Sequence, residues 1–232
     1  MTDEPDLSRI ARTIGDPTRI QMLRLLMEGR ALTAKEMALG AGVEPATATA
    51  HLRRLLDDAL IESTAQGRHK YFRLASSRVA QLIESLMAMA PQAARAVRRN
   101  NDPIRVARFC YDHLAGQLGT RLTAALLTRG ILAEQGKDFV LTADGETWLQ
   151  TFGIELATLR RSRRKFAHQC LDWSERKDHL GGALGAAIAQ RMLALGWISR
   201  AKYSRVVTIT AAGHVALSER FGLCFKEAAD PA

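Results

Sequence analysis

Cysteine is scarce in this sequence. Three of the 232 residues are cysteines, Cys110, Cys170 and Cys224, and the first 101 residues contain none. Cysteines this few and scattered cannot form the disulfide framework of a small secreted domain, but they are typical of proteins in the reducing cytosol. We therefore expect a cytoplasmic protein that is stabilised by an apolar core.

Long apolar runs are missing as well. The first twenty residues carry acidic side chains and no apolar core segment, so they do not resemble a signal peptide. The longest uncharged and mainly apolar stretch, 180–189, falls far short of the about 20 residues that a membrane-spanning helix needs. The sequence therefore predicts no membrane partner.

Acidic residues are outnumbered by basic ones. The chain has 24 Asp and Glu against 33 Lys and Arg, a formal net charge of +9, and 47% of its residues are hydrophobic. This composition indicates a globular protein. The basic excess favours a polyanionic partner such as nucleic acid, because each neutralised phosphate releases condensed counterions. An arginine-rich genome would give the same excess without such a partner.

Helix signals follow one another over the first sixty residues. Asp6 can cap a first short helix. Asp16-Pro17 supplies an N-cap followed by proline at the first helical position, and Thr33 with Glu36 forms a capping-box pair. A glycine-rich turn at 40–43 then separates two short helices, which is the spacing of a helix-turn-helix. The predicted helices cover 7–14, 17–28, 34–39 and 45–59.

The pattern changes after Ile61. Residues 61–64 and 70–74 alternate like strands around the polar hinge 65–68, which predicts a two-stranded hairpin. A helix over 76–89 follows, and the turn residues around Asp102-Pro103 mark a domain boundary. We expect a DNA-binding and dimerisation domain over 1–101 and a second domain over 102–232.

The helix over 45–59 suits the major groove of duplex DNA. Short polar side chains lie near its N-terminal end, where they can reach base edges, and arginines follow towards the phosphates. The hairpin tip adds basic side chains that can lie along the backbone or the minor groove. The alternative is a solvated charged face. The predicted DNA-contacting residues are Pro45, Thr47, Thr49, His51, Arg53, Arg54, Arg68, His69 and Lys70.

Three motifs carry a family resemblance over about residues 5–90. The stretches 16–20 (DPTRI), 42–52 (GVEPATATAHL) and 67–72 (GRHKYF) resemble the ArsR family of dimeric winged-helix repressors, many of which leave DNA when they bind a metal or metalloid. The resemblance implies a homodimer formed through the first helix and the helix over 76–89. It also implies a palindromic operator.

The usual metal sites of that family are missing from this chain. Arsenic sensors of the family carry a Cys-x-Cys pair before the recognition helix, whereas residues 35–40 contain no thiol. Zinc and nickel sensors carry Asp, His and Glu ligands on the dimerisation helix, where Glu84 is the only acidic residue. We therefore expect any effector to bind in the second domain.

The second domain contains an internal repeat. Residues 112–119 (DHLAGQLG) match 178–185 (DHLGGALG), and further matches follow at a spacing of 66 to 68 residues. Each copy, about 104–153 and 166–222, predicts a helix, a turn, two short strands and a Thr-capped helix, which is itself winged-helix-like. The expected fold class is mostly α with small β-hairpins (α+β). The alternative is one α+β domain with accidental similarity.

A candidate effector site follows from cysteine and histidine in the repeat. Thiolate and imidazole together suit zinc or another thiophilic metal or metalloid ion. A helix would place Cys110 and His113 on one face, and His113 and His179 are equivalent in the repeat. Cys110 aligns with Arg176 at that spacing, so the thiols are not expected to be equivalent. The four candidate ligands are Cys110, His113, Cys170 and His179, with Asp112, Asp172 and Glu175 nearby.

Other interpretations of the second domain stay open. Cysteine is often a small core residue, each histidine could simply order its own helix, and either thiol could sense oxidation. A small-molecule pocket could use Tyr111, Trp173, Trp197, Arg108, Arg176 and the basic run 160–165.

The sequence supports an enzymatic function less well than a regulatory one. Asp172 and Glu175 on one helical turn could suggest acid–base chemistry, but the chain contains no recognised catalytic signature, so we expect no enzyme. The sequence predicts a dimeric repressor of duplex DNA that an effector releases. The alternative is an effector-independent DNA-binding protein with an architectural second domain.

Overall fold

The computed structural model describes residues 5–90, 102–162, 164–201 and 204–225. The chain divides into two compact units, with the division between Ile83 and Glu84. Most of the segment before the predicted boundary at 101/102 lies outside the described residues. Among those described, no helix combines the length and apolarity that a membrane span requires.

The first unit is a winged helix. Its elements are α1 (Leu7–Ile14), α2 (Pro17–Leu26), β1 (Leu32–Thr33), α3 (Ala34–Ala41), α4 (Pro45–Asp57), β2 (Ile61–Gln66), β3 (His69–Leu74) and α5 (Ser77–Met89), the last of which crosses the division. The strands form one antiparallel sheet in the order β1-β3-β2. The two-residue strand β1 was not predicted, because so short a segment has no readable alternation.

Local capping explains why the helices begin where they do. The side chains of Asp6, Asp16 and Thr33 each accept a hydrogen bond from the backbone N–H three residues later, so the predicted N-caps are confirmed. The capping box between Thr33 and Glu36 is also present. Gly42 ends α3 in the left-handed conformation that glycine adopts without strain. The core beneath the helices is apolar, with Met22, Leu23, Leu26, Met37, Leu52 and Leu55 almost fully buried.

The second unit contains two copies of one motif. The first copy is β4 (Arg108–Cys110), β5 (His113–Ala115), α7 (Gly116–Thr128), β6 (Leu132–Gln135), β7 (Asp138–Leu141) and α8 (Ala143–Thr151). The second copy is β8 (His168–Leu171), β9 (Asp178–Gly181), α10 (Gly182–Ala194), β10 (Ile198–Arg200), β11 (Val207–Ile209) and α11 (Ala211–Phe221). Two short helices precede and connect them, α6 (Pro103–Val106) and α9 (Leu156–Arg160).

The hairpins join the two copies. The β6-β7 hairpin of the first copy continues into β8-β9 of the second, which makes one four-stranded sheet, and β4-β5 and β10-β11 form two-stranded sheets. An isolated bridge between Arg108 and Val206 links those last two hairpins. Apolar side chains from both copies share one core, which includes Leu118, Leu126, Leu184, Met192 and Leu217.

Equivalent contacts confirm the predicted repeat. Thr142 and Thr210 each donate a hydrogen bond to a glycine carbonyl in the preceding turn at 2.6 Å, and each caps the helix that follows. The structure differs from the predicted repeat in one respect. The segments beginning at Asp112 and Asp178 were predicted to be helical, but they form β5 and β9, and α7 and α10 begin only at the glycines that follow.

Candidate nucleic-acid interface and candidate metal centre

Helix α4 has one buried side and one exposed side. Ala48, Leu52 and Leu55 pack into the unit, whereas Thr47, Thr49 and Arg53 are exposed, as is Pro45 at the start of the helix. The Thr49 hydroxyl donates to the Pro45 carbonyl at 2.9 Å, so its oxygen keeps acceptor capacity towards an outside donor. The exposed side therefore presents short polar groups followed by a cation.

Two residues predicted to contact DNA have partners inside the unit. The Nδ1 atom of His51 lies 3.7 Å from the Asp16 carboxylate and 3.5 Å from the Arg19 guanidinium. The Nε of Arg54 lies 3.2 Å from both Asp58 and the Thr13 hydroxyl. Both side chains tie α4 to the helices before it, because side chains at positions 51 and 54 leave the helix on the side next to Leu55.

Asp58 anchors that connection between the helices. Its carboxylate is buried, accepts a hydrogen bond from the Thr13 hydroxyl, and pairs with Arg9 Nε at 2.5 Å. Burial raises the pKa of a carboxyl group, but here the hydrogen bonds from Thr13 and Arg9 and the charge of Arg54 outweigh it, so the pKa of Asp58 is lowered. The charged form therefore stabilises the packing of α1 against α4.

The wing brings basic side chains next to α4. The β2-β3 hairpin turns at Gly67 and Arg68, and Arg68, His69 and Lys70 are exposed. A groove of about 770 Å³ separates the wing from α4, and it is lined by residues of both elements together with the start of α3. Its lining includes Thr49, Arg53, Arg68, His69 and Lys70. The first unit thus gathers five of the predicted DNA-contacting residues around one concave surface.

In the second unit the four predicted ligands converge. The ligand atoms of Cys110, His113, Cys170 and His179 all lie within 4.8 Å of one another. Each cysteine faces one of the histidines across a hairpin, since Cys110 pairs with His113 in β4-β5 and Cys170 pairs with His179 in β8-β9. The two hairpins contact each other through β5 and β9.

This geometry corrects two expectations. Cys110 and His113 share a face through strand pairing, not through a helix. The thiols are also equivalent, since each cysteine pairs with a histidine across its own hairpin. The fixed spacing missed this because eight residues separate the paired cysteine and histidine in the second hairpin and only two in the first. A fixed repeat spacing aligns Cys110 with Arg176, but cross-strand register aligns it with Cys170.

Three of the four cluster residues are buried, and three of the histidine nitrogens have no hydrogen-bond partner among the described residues. His179 is fully buried, and neither of its ring nitrogens has such a partner. The same holds for Nε2 of His113, which is also buried. The imidazole rings of these two repeat-equivalent histidines lie 5.1 Å apart.

Carboxylates lie behind both histidines. Asp112 Oδ1 is 3.4 Å from Nδ1 of His113, and Arg164 holds the same carboxylate from the other side. Asp172 Oδ2 is 3.9 Å from Nδ1 of His179, beyond hydrogen-bond distance. Nδ1 is therefore the ring nitrogen nearer to a carboxylate in both histidines.

Burial and neighbouring charges shift the pKa values in the cluster. The neighbouring Cys170 thiol and burial raise the pKa of Cys110 well above its ordinary value. Burial, with the nearby His113, lowers the pKa of His179 well below its ordinary value. Burial lowers the pKa of His113, but the neighbouring Cys110 and Asp112 outweigh this effect and raise the pKa to about 10. Burial therefore favours the uncharged forms of Cys110 and His179.

Asp172 is a structural carboxylate. It was considered as half of an acid–base pair with Glu175 on one helical turn, but both residues lie in the connection between β8 and β9. Asp172 is fully buried and pairs with the fully buried Arg108 at 2.8 Å. It also accepts hydrogen bonds from the N–H groups of Gly116 and Glu175 and from Ser174. These charges hold the two hairpins together.

The aromatic and basic residues considered for a small-molecule pocket are used within the fold. Trp197 is buried in the core, and Arg108 stacks over Trp173 at 4.4 Å from its ring centroid. In the basic run, Arg160 pairs with Glu146, Arg164 with Asp112 and Lys165 with Asp138. The side chain of Arg163 lies outside the described residues.

Sequence reasoning missed His168. Its ring centroid lies 6.3 Å from that of His113, and its strand β8 also carries Cys170. Residues two apart in a strand share a face, so the alternation of His168 and Cys170 was the signal that would have found it. Burial lowers the pKa of His168, and the charge of His113 lowers it further.

Comparison with known proteins extends over both units. A helix-turn-helix domain family model matches residues 14–64. The HTH-type transcriptional regulator YdfF of Bacillus subtilis is 38% identical over 222 residues, which is 94% of this chain and 98% of YdfF. The HTH-type transcriptional regulator Rv0324 of Mycobacterium tuberculosis is 31% identical over 121 residues, 48% of this chain and 53% of that protein.

A solved structure resembles the first unit. The homodimeric winged helix-turn-helix DNA-binding domain Mb0332 of Mycobacterium bovis is 24% identical, with a TM-score of 0.35 that covers 41% of this chain and 94% of Mb0332. The similarity to YdfF spans 94% of this chain, so it extends into the second unit.

Proposed function

The chain belongs to the HTH-type transcriptional regulators, with an N-terminal winged helix like that of the ArsR family, and on that premise we propose that it is a homodimeric repressor of a palindromic operator. The observation that carries the proposal is the groove between α4 and the wing, which gathers Thr49, Arg53 and the basic wing residues on one surface. An effector bound by the second unit releases the DNA.

The proposed DNA-reading surface combines two kinds of contact. Thr47 and Thr49 near the start of α4 reach base edges in the major groove, which is wide enough to admit a helix. Arg53, Arg68 and Lys70 hold the phosphates and carry most of the salt-dependent affinity. His51 and Arg54 hold α4 in position through Asp16 and Asp58, so we place them outside the reading surface.

Dimerisation through α1 and α5 has support in the exposure of both helices. Leu7 on α1 is 74% exposed and Met89 near the end of α5 is 81% exposed, so each helix offers one large apolar side chain that a partner could cover. A two-fold dimer places its α4 helices in successive major grooves, about 34 Å apart. That geometry requires an inverted-repeat operator.

The reading surface is tested with duplexes that the parent protein selects from a random pool. We expect Thr47→Ala combined with Thr49→Ala to weaken binding to the selected duplex about 5- to 150-fold, with a smaller loss on a scrambled duplex, because base contacts carry the specificity. Arg68→Ala should weaken binding to both duplexes and reduce the salt slope by about 1. Fluorescence anisotropy at several salt concentrations measures both effects.

Arg24→Ala is the matched control. Arg24 is exposed on α2 and does not line the groove, so its removal costs one positive charge without a proposed contact. The proposal fails if the threonine variant binds both duplexes like the parent, or if Arg24→Ala and Arg68→Ala change the salt slope equally.

A further inference from the structure

We propose that Cys110, His113, Cys170 and His179 form a tetrahedral site for one thiophilic divalent cation, with zinc as the expected occupant. The site lies in the second unit and links the two copies of the repeat, because each copy contributes one cysteine and one histidine. Its ability to bind the ion does not depend on the proposed repressor function.

The spacing of the thiols suits a metal. The two sulfur atoms are 3.8 Å apart. In a tetrahedral zinc site with Zn–S bonds of about 2.3 Å, two sulfur ligands lie about 3.8 Å from each other. The remaining ligand atoms are within 4.8 Å of one another, so small rotamer changes bring all four onto one ion. Two thiolates and two imidazoles are a ligand set that zinc prefers.

The orphaned nitrogens point to a ligand. Buried polar atoms are nearly always hydrogen-bonded, since leaving one without a partner costs free energy. His179 has no exposed surface, and neither ring nitrogen has a hydrogen bond among the described residues. Nε2 of the buried His113 also has no hydrogen bond among the described residues. Coordination of an ion satisfies one nitrogen of each histidine at once.

The surroundings resemble the outer shell of a metal site. A histidine that binds a metal usually directs its other ring nitrogen to a carboxylate, which fixes the orientation of the ring. Asp112 occupies that position beside His113 at 3.4 Å, and Asp112 is itself held by Arg164. The carboxylate leaves Nε2 of His113 for the ion.

Each histidine packs beside a glycine of the other copy. A Cβ atom on Gly185 would lie 3.2 Å from the Cβ of His113, and one on Gly119 would lie 3.6 Å from the Cβ of His179. The glycines themselves are required by the carbonyls of Leu180 and Leu114, which such a Cβ would meet at 2.2 Å. The start of each long helix therefore lies next to the histidine of the other copy.

A disulfide is the competing use of the thiols. A disulfide needs sulfur atoms about 2.05 Å apart, much closer than the 3.8 Å observed. It would also leave the histidine nitrogens without partners. Cys170 is partly exposed, which gives an ion a route into the cluster.

The test measures metal binding by the full-length protein, reduced and stripped with a chelator. We expect one zinc per chain by elemental analysis after reloading. Cobalt loaded at the same stoichiometry should show the intense visible bands of tetrahedral coordination and a thiolate-to-cobalt charge-transfer band. Cys170→Ser should weaken the charge-transfer band, because one of the two thiolates is lost, and His179→Gln should change the tetrahedral spectrum. Asp112→Asn should weaken zinc affinity about 10- to 100-fold.

The chain offers matched controls. Neither Cys224, which is exposed, nor His214 on α11 is one of the ligands that converge in the described residues, so Cys224→Ser and His214→Gln should bind cobalt like the parent. Circular dichroism establishes that each variant is folded. Folded parent protein with reduced thiols that takes up no zinc or cobalt overturns the proposal. So does uptake that survives in Cys170→Ser but is lost in Cys224→Ser.

Discussion

Replacement of Asp172 by asparagine removes the charge that balances Arg108 inside the second unit. Both side chains are fully buried, and their closest atoms are 2.8 Å apart. One carboxylate oxygen accepts from Arg108 and from the N–H of Gly116 at 2.6 Å, and the other accepts from Ser174 and from the N–H of Glu175. In asparagine an NH₂ group replaces one of these oxygens. That NH₂ group would face hydrogen-bond donors in either orientation of the amide, so asparagine cannot reproduce the contacts.

The size of the effect follows from this burial. Removal of one partner from a buried ion pair costs about 3 to 5 kcal/mol, because the other charge stays desolvated. A domain of this kind has a free energy of unfolding of about 5 to 15 kcal/mol, so the loss is a large share of the total. We expect Asp172→Asn to lower the free energy of unfolding of the second unit by about 3 to 5 kcal/mol.

Tryptophan fluorescence is a selective assay for this unit. All three tryptophans, Trp148, Trp173 and Trp197, belong to the second unit. Urea unfolding is followed with a chelator present, so that a bound ion contributes nothing to either curve. Asp144→Asn is the control, since Asp144 is exposed in the first turn of α8 and its charge should contribute less than about 1 kcal/mol.

A double-mutant cycle completes the test. With Arg108→Met in place no buried cation is left unpaired, so Asp172→Asn should cost clearly less in that background than in the parent. The reasoning is refuted if Asp172→Asn costs less than about 1 kcal/mol, the range of an exposed pair. Equal costs in the two backgrounds would also refute it.

Two further predictions concern the packing of each unit. In the first unit, the lowered pKa of Asp58 means that its charged form adds stability above the ordinary carboxyl pKa of about 3.9, and that this stability is lost as the pH falls through the lower folded value. Thermal unfolding by circular dichroism should therefore show that the parent loses stability below about pH 4. The Asp58→Asn variant should be less stable than the parent at neutral pH and should lose less stability as the pH falls. In the second unit, Gly119→Ala and Gly185→Ala should each lower the free energy of unfolding by about 1 to 3 kcal/mol, because the new Cβ would meet the Leu114 or Leu180 carbonyl at 2.2 Å. Gly136→Ala is the comparison, because Gly136 has open space around it and only its φ of +63° strains alanine there. The packing argument would be contradicted if Gly119→Ala or Gly185→Ala lowered the free energy of unfolding no more than a substitution at an exposed helix position.

The sequence predicted those parts of the fold that local chemistry decides. Helices α1, α2 and α3 begin directly after Asp6, Asp16 and Thr33 because these side chains cap the first turn, and caps are readable from a single sequence. The repeat was readable for a similar reason, since the same turn residues recur at a nearly constant spacing. The hairpin after α4 was also predicted, because strand-like alternation around a polar hinge is readable from the sequence.

The rest depended on contacts between residues far apart in the chain. The strand register that makes Cys110 and Cys170 equivalent was hidden by the longer connection in the second hairpin. The turn between Cys110 and His113 holds Tyr111 at φ 62°, a conformation that tyrosine rarely adopts, so the residues there favoured other interpretations. Arg54 pairs with Asp58 one helical turn later, but its contact with Thr13 depends on the packing of α1 against α4, which the sequence does not show.

The most direct test of the account is whether zinc in the second unit changes the affinity of the first unit for DNA. Operator affinity is measured by anisotropy for the parent and for Cys170→Ser, each with excess zinc and with a chelator. We predict that zinc weakens the parent's binding about 5- to 150-fold, the range of a coupling free energy of 1 to 3 kcal/mol, and leaves Cys170→Ser unchanged. Equal affinities for a parent that demonstrably holds one zinc per chain would contradict the account.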